Sequence, residues 1–343
     1  EYNGASWSIA GTLSLGRDNL GGSGTTNSGL AFGGCVAPGQ TASTEEYNYG
    51  AYCIGVWNVG GNMITGRCGG DGSGTPSAGL AFAGYVSPGY ITCTELYDGS
   101  SWSAGGAMSI ARSCVRGNGT QDATFAAGGY AGAPYQYKTD TEEYNGASWS
   151  AGGALITKMG NMGAAGTSDS GIIFGGINPA PSKSCTQEYN GSSWSAGGAL
   201  ITAVGYNAGA GTQNAALSAG GNTNTPIACT EEYNGTSWSV VAALTTARLF
   251  LQGSGIQDSA LAIAGGTPTT VSCVEKYNGI VWNNETSLPI PKTYQYGGGS
   301  TSATFTAGGK SPAVTGTTEE YNFINPVDCG VHCFWNSLSY TAT

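Results

Sequence analysis

The sequence predicts an all-β fold: a β-propeller of seven blades with four antiparallel strands per blade. Three observations point there. A phrase built on Tyr and Trp returns along the whole chain, as EEYNGASWSAGGAL from Glu142, EYNGSSWSAGGAL from Glu188 and EEYNGTSWSVVAAL from Glu231. Its Tyr positions (Tyr2, Tyr47, Tyr97, Tyr144, Tyr189, Tyr233, Tyr277, Tyr321) are spaced by 45, 50, 47, 45, 44, 44 and 44 residues, the length of a four-stranded blade. A helical repeat of that length is excluded, because no segment shows an apolar stripe of helical period and Gly interrupts every turn.

One unit shows the elements in order. ALITKM leads in, and the small residues NMGAAGT follow. They suit an innermost strand, where backbones crowd around one axis. TSDSG is a tight turn and IIFGG a short apolar strand; NPAPSKS is a loop and CTQEY an alternating strand. Asn-Gly then makes a hairpin, since both central residues of a type I′ turn need positive φ. SSW begins the return strand. Each Tyr is paired with a following Trp (Tyr47 with Trp57, Tyr97 with Trp102, Tyr144 with Trp149, Tyr189 with Trp194, Tyr233 with Trp238, Tyr277 with Trp282). These pairs are expected to pack between blades. The blades fall near 9–57, 58–102, 103–149, 150–194, 195–238, 239–282 and 283–336, as a single propeller over 1–343. The stretched C-terminal hairpin is expected to fill its own blade, leaving residues 1–8 as an extra closing hairpin.

Composition narrows the partners. The formal charge of −10 opposes phosphate backbones, so nucleic acid is not expected. No run of about 18 apolar residues exists, so no membrane insertion is expected. The chain opens at Glu1 without Met and reads as a piece of something longer.

L/M-x-x-x-R, then Gly-Gly, then E-x-Y-[N/D]-G-x-x-W resembles the kelch repeat. Met108 to Arg112, Gly128-Gly129, Glu142, Tyr144, Asn145 and Trp149 carry the match. The Arg position holds Arg17, Arg67, Arg112, Arg248 and Lys292, but Met159 and Val204 in the middle units. An ion pair between that cation and the strand Glu, implied by the resemblance, is in question there. The serial phrase is also similar to kelch-like arrays in virion structural proteins of marine bacteriophages. This implies a virion or extracellular setting.

No catalytic constellation is legible. His332 is the one histidine, which excludes most Ser-His-Asp and Cys-His machinery unless it is the base. It also excludes a copper site like that of galactose oxidase, whose propeller is of kelch type. Asp328, Cys329, His332 and Cys333 lack a second ligand pair for zinc, so no metal or cofactor is expected and a Cys329–Cys333 disulfide or two free thiols remain open. Cys93, Cys185, Cys229 and Cys273 each precede a Tyr by four residues and read as small buried residues between blades. Glu45, Glu95, Glu142, Glu231, Glu275 and Glu319 recur once per unit, and a structural role fits that regularity better than acid–base chemistry.

The loops between second and third strands are unlike one another, which is how a rigid scaffold presents a binding surface. Tyr85, Tyr90, Tyr130, Tyr135 and Tyr137 are the candidate contacts, since Tyr joins flat apolar area to a hydroxyl and suits sugars or protein surfaces. The expected function is a non-catalytic structural and binding module of a virion fibre, tail or capsid appendage. It would contact other virion or surface proteins, or host glycans. A secreted bacterial lectin or adhesin is the first alternative and a carbohydrate-active enzyme the second. Intracellular kelch adaptors carry BTB-like domains, and none is present here.

Overall fold

Each unit folds as its spacing dictates. Gly163–Gly166, Gly171–Phe174, Thr186–Tyr189 and Trp194–Gly197 pair consecutively and antiparallel, with Ile173 opposite both Ala164 and Gln187, and Tyr189 opposite Trp194. The computed structural model of the chain describes residues 54–132 and 136–324, with the strands Gly21–Thr25, Ser28–Phe32, Cys35–Val36, Gly39–Gln40, Thr44–Asn48 and Asn336–Leu338. Every sheet is antiparallel, and no helix occurs among the described residues.

The chain divides into two compact units, 55–322 and a second made of 1–54 with 323–343. The larger unit is a propeller of six blades, which corrects the expected seven. Blades A to E begin at the inner strands Asp71–Thr75, Arg116–Gly119, Gly163–Gly166, Ala208–Thr212 and Gln252–Ile256. Blade F has Tyr296–Gly299, Ala303–Ala307 and Thr318–Ile324, and its fourth strand is Ile54–Val59. Blade F is therefore completed from the N-terminal side, and the expected closure by its own C-terminal hairpin does not occur. In the second unit, Gly21–Thr25, Ser28–Phe32 and Thr44–Asn48 form a sheet with Asn336–Leu338. The closing hairpin expected at 1–8 lies outside the described residues.

Closure of the six-membered ring is visible atom by atom. One residue at the entry to each inner strand has a left-handed backbone: Gly69, Cys114, Asn161, Tyr206, Phe250 and Tyr294, with φ from 53 to 71°. Each donates its N–H to the carbonyl of the one before, at 2.5 to 3.3 Å, and Gly69 donates to Tyr294 to complete the circle. Five of the six are not glycine, and such a φ costs a non-glycine residue about 1–2 kcal/mol. The circle of hydrogen bonds offsets that cost.

Between blades the second strand faces both ways. Leu80 and Phe82 of blade A pack with Ala126 and Tyr144 of blade B, whereas Ala81 packs with Phe305 and Ala307 of blade F. Burying one aromatic ring removes about 150–250 Å² from water, roughly 4–6 kcal/mol of transfer free energy before ordering costs. The anchors also hydrogen-bond backwards. Trp102, Trp149, Trp194, Trp238 and Trp282 donate their indole N–H to Thr318, Thr94, Thr141, Thr186 and Thr230 of the preceding blade, at 2.9 to 3.1 Å. Tyr97, Tyr189, Tyr233 and Tyr277 donate to Glu320, Glu143, Glu188 and Glu232. Among the anchors, Tyr47 and Trp57 lie on described strands, Thr44–Asn48 and Ile54–Val59.

Those bonds have a consequence for alkaline stability. Burial first, and the carboxylate second, push the Tyr97 and Tyr189 hydroxyls up to about 12. In the unfolded chain Tyr ionises near 10. Above that pH the unfolded state releases a proton that the folded state keeps, so the stabilisation is complete below pH 10 and is lost as pH rises towards 12. The urea midpoint is expected to stay level from pH 7 to 9 and fall beyond 10, with the anchor tyrosines contributing tyrosinate absorbance only on unfolding.

Buried cations brace the outer hairpins where the sequence supplies them. Arg67 pairs with Glu95, Arg112 with Glu142 (3.1 Å), Arg248 with Glu275 (3.1 Å) and Lys292 with Glu319. Met159 and Val204 cannot pair. Blade C replaces the Glu by Gln187, which accepts from Ile156 N–H at 2.8 Å and sets its amide against the Met159 sulfur at 3.7 Å. Blade D keeps Glu231, held by the N–H groups of Ile201 and Thr202 at 2.8 Å.

Candidate functional site

The circle of left-handed residues marks one end of the axis, and side chains gather there. A left-handed backbone at Tyr206, Phe250 and Tyr294 sets three rings side by side: Tyr206 meets Phe250 at 4.6 Å edge-on, and Phe250 stacks on Tyr294 at 4.0 Å. The loops after the second strands arrive at the same end. Tyr85 bridges to Cys68, Tyr130 to Ser113, Ile177 to Gly160 and Lys310 to Thr293, each one residue before the circle. Three of these loops form small hairpins of their own: Lys310–Ser311 with Ala313–Val314, and the two tyrosine-bearing ones, Tyr85–Val86 with Gly89–Tyr90 and Tyr130–Ala131 with Gln136–Tyr137.

Those hairpins bring the expected tyrosines together. Ring centroids run Tyr85 to Tyr90 at 5.7 Å, Tyr90 to Tyr130 at 5.8 Å and Tyr130 to Tyr137 at 5.7 Å, all edge-on. The series crosses from blade A to blade B, and each ring is half-buried. Tyr135 lies outside the described residues. Burial, with the Cys114 thiol and neighbouring tyrosines, raises the Tyr130 and Tyr294 hydroxyls well above their usual range, so both remain protonated. The Cys114 thiol, buried and itself raised, is hydrogen-bonded to Tyr130 at 3.2 Å.

Seven aromatic side chains thus form a crown over the closed end of the axis. Tyr206, Phe250 and Tyr294 escaped the sequence reading, which looked only at loops between second and third strands. Their signal was columnar: each lies two residues after the Arg position, at Val204, Arg248 and Lys292.

Charge separates the two ends. The loops at the crown carry Lys138, Lys158, Lys183 and Lys310, with Asp140 as their one acid outside the buried pairs. The turns at the opposite end carry Asp98, Asp122, Asp169 and Asp258 and no cation. An acidic protein therefore presents a locally basic aromatic face.

The remaining candidates do not converge on a site. Cys68, Cys93, Cys114, Cys185, Cys229 and Cys273 are free. Cys93 is exposed and Cys185, Cys229 and Cys273 half-buried, which corrects the buried positions expected for that column. Cys329 and Cys333 lie outside the described residues. Among the described residues no three His, Cys, Asp or Glu side chains gather as metal ligands would. No protein-family model and no curated protein matches this chain.

Proposed function

We propose that the chain is a non-catalytic binding module, displayed on a virion appendage, whose crown takes acidic glycans of a host surface. The crown carries this reading. Half-buried tyrosines offer flat faces for sugar rings and hydroxyls for sugar oxygens, while Lys138, Lys158, Lys183 and Lys310 in the loops of the same end favour carboxylate or sulfate groups. The recurring Glu residues support it indirectly, because Glu95, Glu142, Glu231, Glu275 and Glu319 are occupied in bracing their own blades. Contact with a neighbouring virion protein through the same face is the competing outcome.

A glycan array separates the two. The expected result is retention of uronate-bearing or sulfated glycans, weakening with salt because exposed charges are screened within about 10 Å at 0.1 M. Tyr90→Ala is expected to cost about tenfold in affinity, roughly 1.4 kcal/mol, without moving the unfolding midpoint. An array without a hit, together with purified particles that lack the chain, overturns the proposal.

A further inference from the structure

The opposite end of the axis is open. The inner strands enclose a cup of about 560 Å³, with Thr75, Thr120, Gln121, Asp122 and Ser300 near its mouth. Its wall follows a strict rule. At the middle of each inner strand stand Gly72, Gly117, Ala164, Gly209, Gly253 and Gly297, and a Cβ at any of the five glycines would lie 1.9 to 2.6 Å from a neighbouring atom.

Deeper in, the rule is broken by five polar residues: Asp71, Arg116 and Gln252 on one level, Asn207 and Gln295 one residue earlier. The equivalent places in other blades hold Gly163, Ala208 and Tyr296, or Gly70, Val115, Met162 and Leu251. A bracing residue recurs from blade to blade, as the Glu column does in five of the six; these do not recur. Their hydrogen bonding is also incomplete in one direction. Gln252 donates its amide to Phe305 O at 3.2 Å, and Gln295 donates to Ile263 O at 2.9 Å, which fixes their other atoms as oxygens. Gln252 Oε1, Gln295 Oε1 and Asn207 Oδ1 are buried without a protein partner. Asp71 accepts from Gly72 and Gly117 N–H at 3.0 and 2.8 Å and faces Arg116 at 3.8 Å; Arg116 Nε donates to Met162 O at 2.8 Å.

We propose that this cup binds a neutral, hydroxyl-rich molecule the size of a monosaccharide. The Asp71–Arg116 pair makes the depth of the cup neutral and Asp122 leaves its mouth acidic, so an anion is disfavoured and a cation would have to compete with a formed pair. The surplus is of acceptors, which calls for donors. Hydroxyl groups supply them, and their oxygens accept in turn from Arg116. Ala164, Ala208, Ala210 and Leu251 present apolar surface to the carbon skeleton. The volume lies within the range of small-molecule sites. This site is separate from the crown and does not depend on its reading.

The test is calorimetry and ligand-observed NMR with glucose, galactose, mannose and glycerol on the full chain. At least one aldohexose is expected to bind with Kd of about 1 mM or tighter. Gln252→Met keeps the volume but removes the free oxygen, and it should weaken binding at least tenfold while leaving the unfolding midpoint level or raised. Thr75→Trp, at the exposed mouth, should block entry. Tyr90→Ala should leave this binding unchanged. No binding by any of the four probes at about 10 mM, binding indifferent to both cup substitutions, or soaked crystals with only ordered water in the cup would each overturn the proposal.

Discussion

Arg112→Met is expected to lower the unfolding free energy by about 3–5 kcal/mol, the usual cost of removing one partner from a buried ion pair. Arg112 is fully buried and donates to the carbonyls of Gly128, Ala126 and Asp140 at 3.0, 3.3 and 2.6 Å as well as to Glu142. The substitution strands a carboxylate that is 2% exposed. The chain itself contains the remedy. Blade C holds Met159 and Gln187 at the same two places, and Gln187 satisfies the lead-in N–H groups without a charge. The double variant Arg112→Met with Glu142→Gln should therefore recover most of the loss, to within about 1–2 kcal/mol of the parent. Urea denaturation of the three proteins decides it. A double variant no better than the single one would show that the carbonyl bonds of Arg112, not the stranded charge, dominate.

Gly253→Ala is expected to do more damage than any surface substitution. A Cβ there would lie 2.1 Å from Gly209 O and 2.9 Å from its carbonyl carbon. Both belong to the backbone of the neighbouring inner strand, so no rotamer relieves the clash. Either the strands separate or the circle opens, and a loss beyond the 1–3 kcal/mol typical of overpacking is expected. Gly89→Ala is the control: its Cβ meets nothing within 4 Å, and the change should stay within about 0.5 kcal/mol. Soluble yield and thermal unfolding of the pair measure the contrast.

The blade was legible in the sequence because its parts are local. Small residues, a turn, an apolar strand and the Tyr–Trp hairpin each follow from neighbours in the chain. The blade count was not, because it depends on which units share an axis. A signal did exist. Tyr47 to Trp57 spans ten residues and Tyr321 to Trp335 fourteen, against five in the other units. At both stretched hairpins the third and fourth strands lie in different sheets: Thr318–Ile324 shares blade F with Ile54–Val59, and Thr44–Asn48 pairs with Asn336–Leu338. Loop length marked the break, but spacing alone could not say which strand went where. The crown was half legible for a similar reason. Tyr85, Tyr90, Tyr130 and Tyr137 stood in variable loops, whereas Tyr206, Phe250 and Tyr294 hid inside the repeat. The cup needed three dimensions, since its polar residues come from five blades.

The origin of blade F's outer strand has a price in time. Ile54–Val59 leaves the ribosome first, and Thr318–Ile324, beside which it lies, follows more than 250 residues later. At about 5–20 residues per second, translation alone separates them by roughly 13–50 seconds. Through that interval a nascent edge stays open to any passing strand, including one from another copy on the same message. Efficient production should therefore depend on dilute, slow synthesis or on a chaperone that shields the waiting segment.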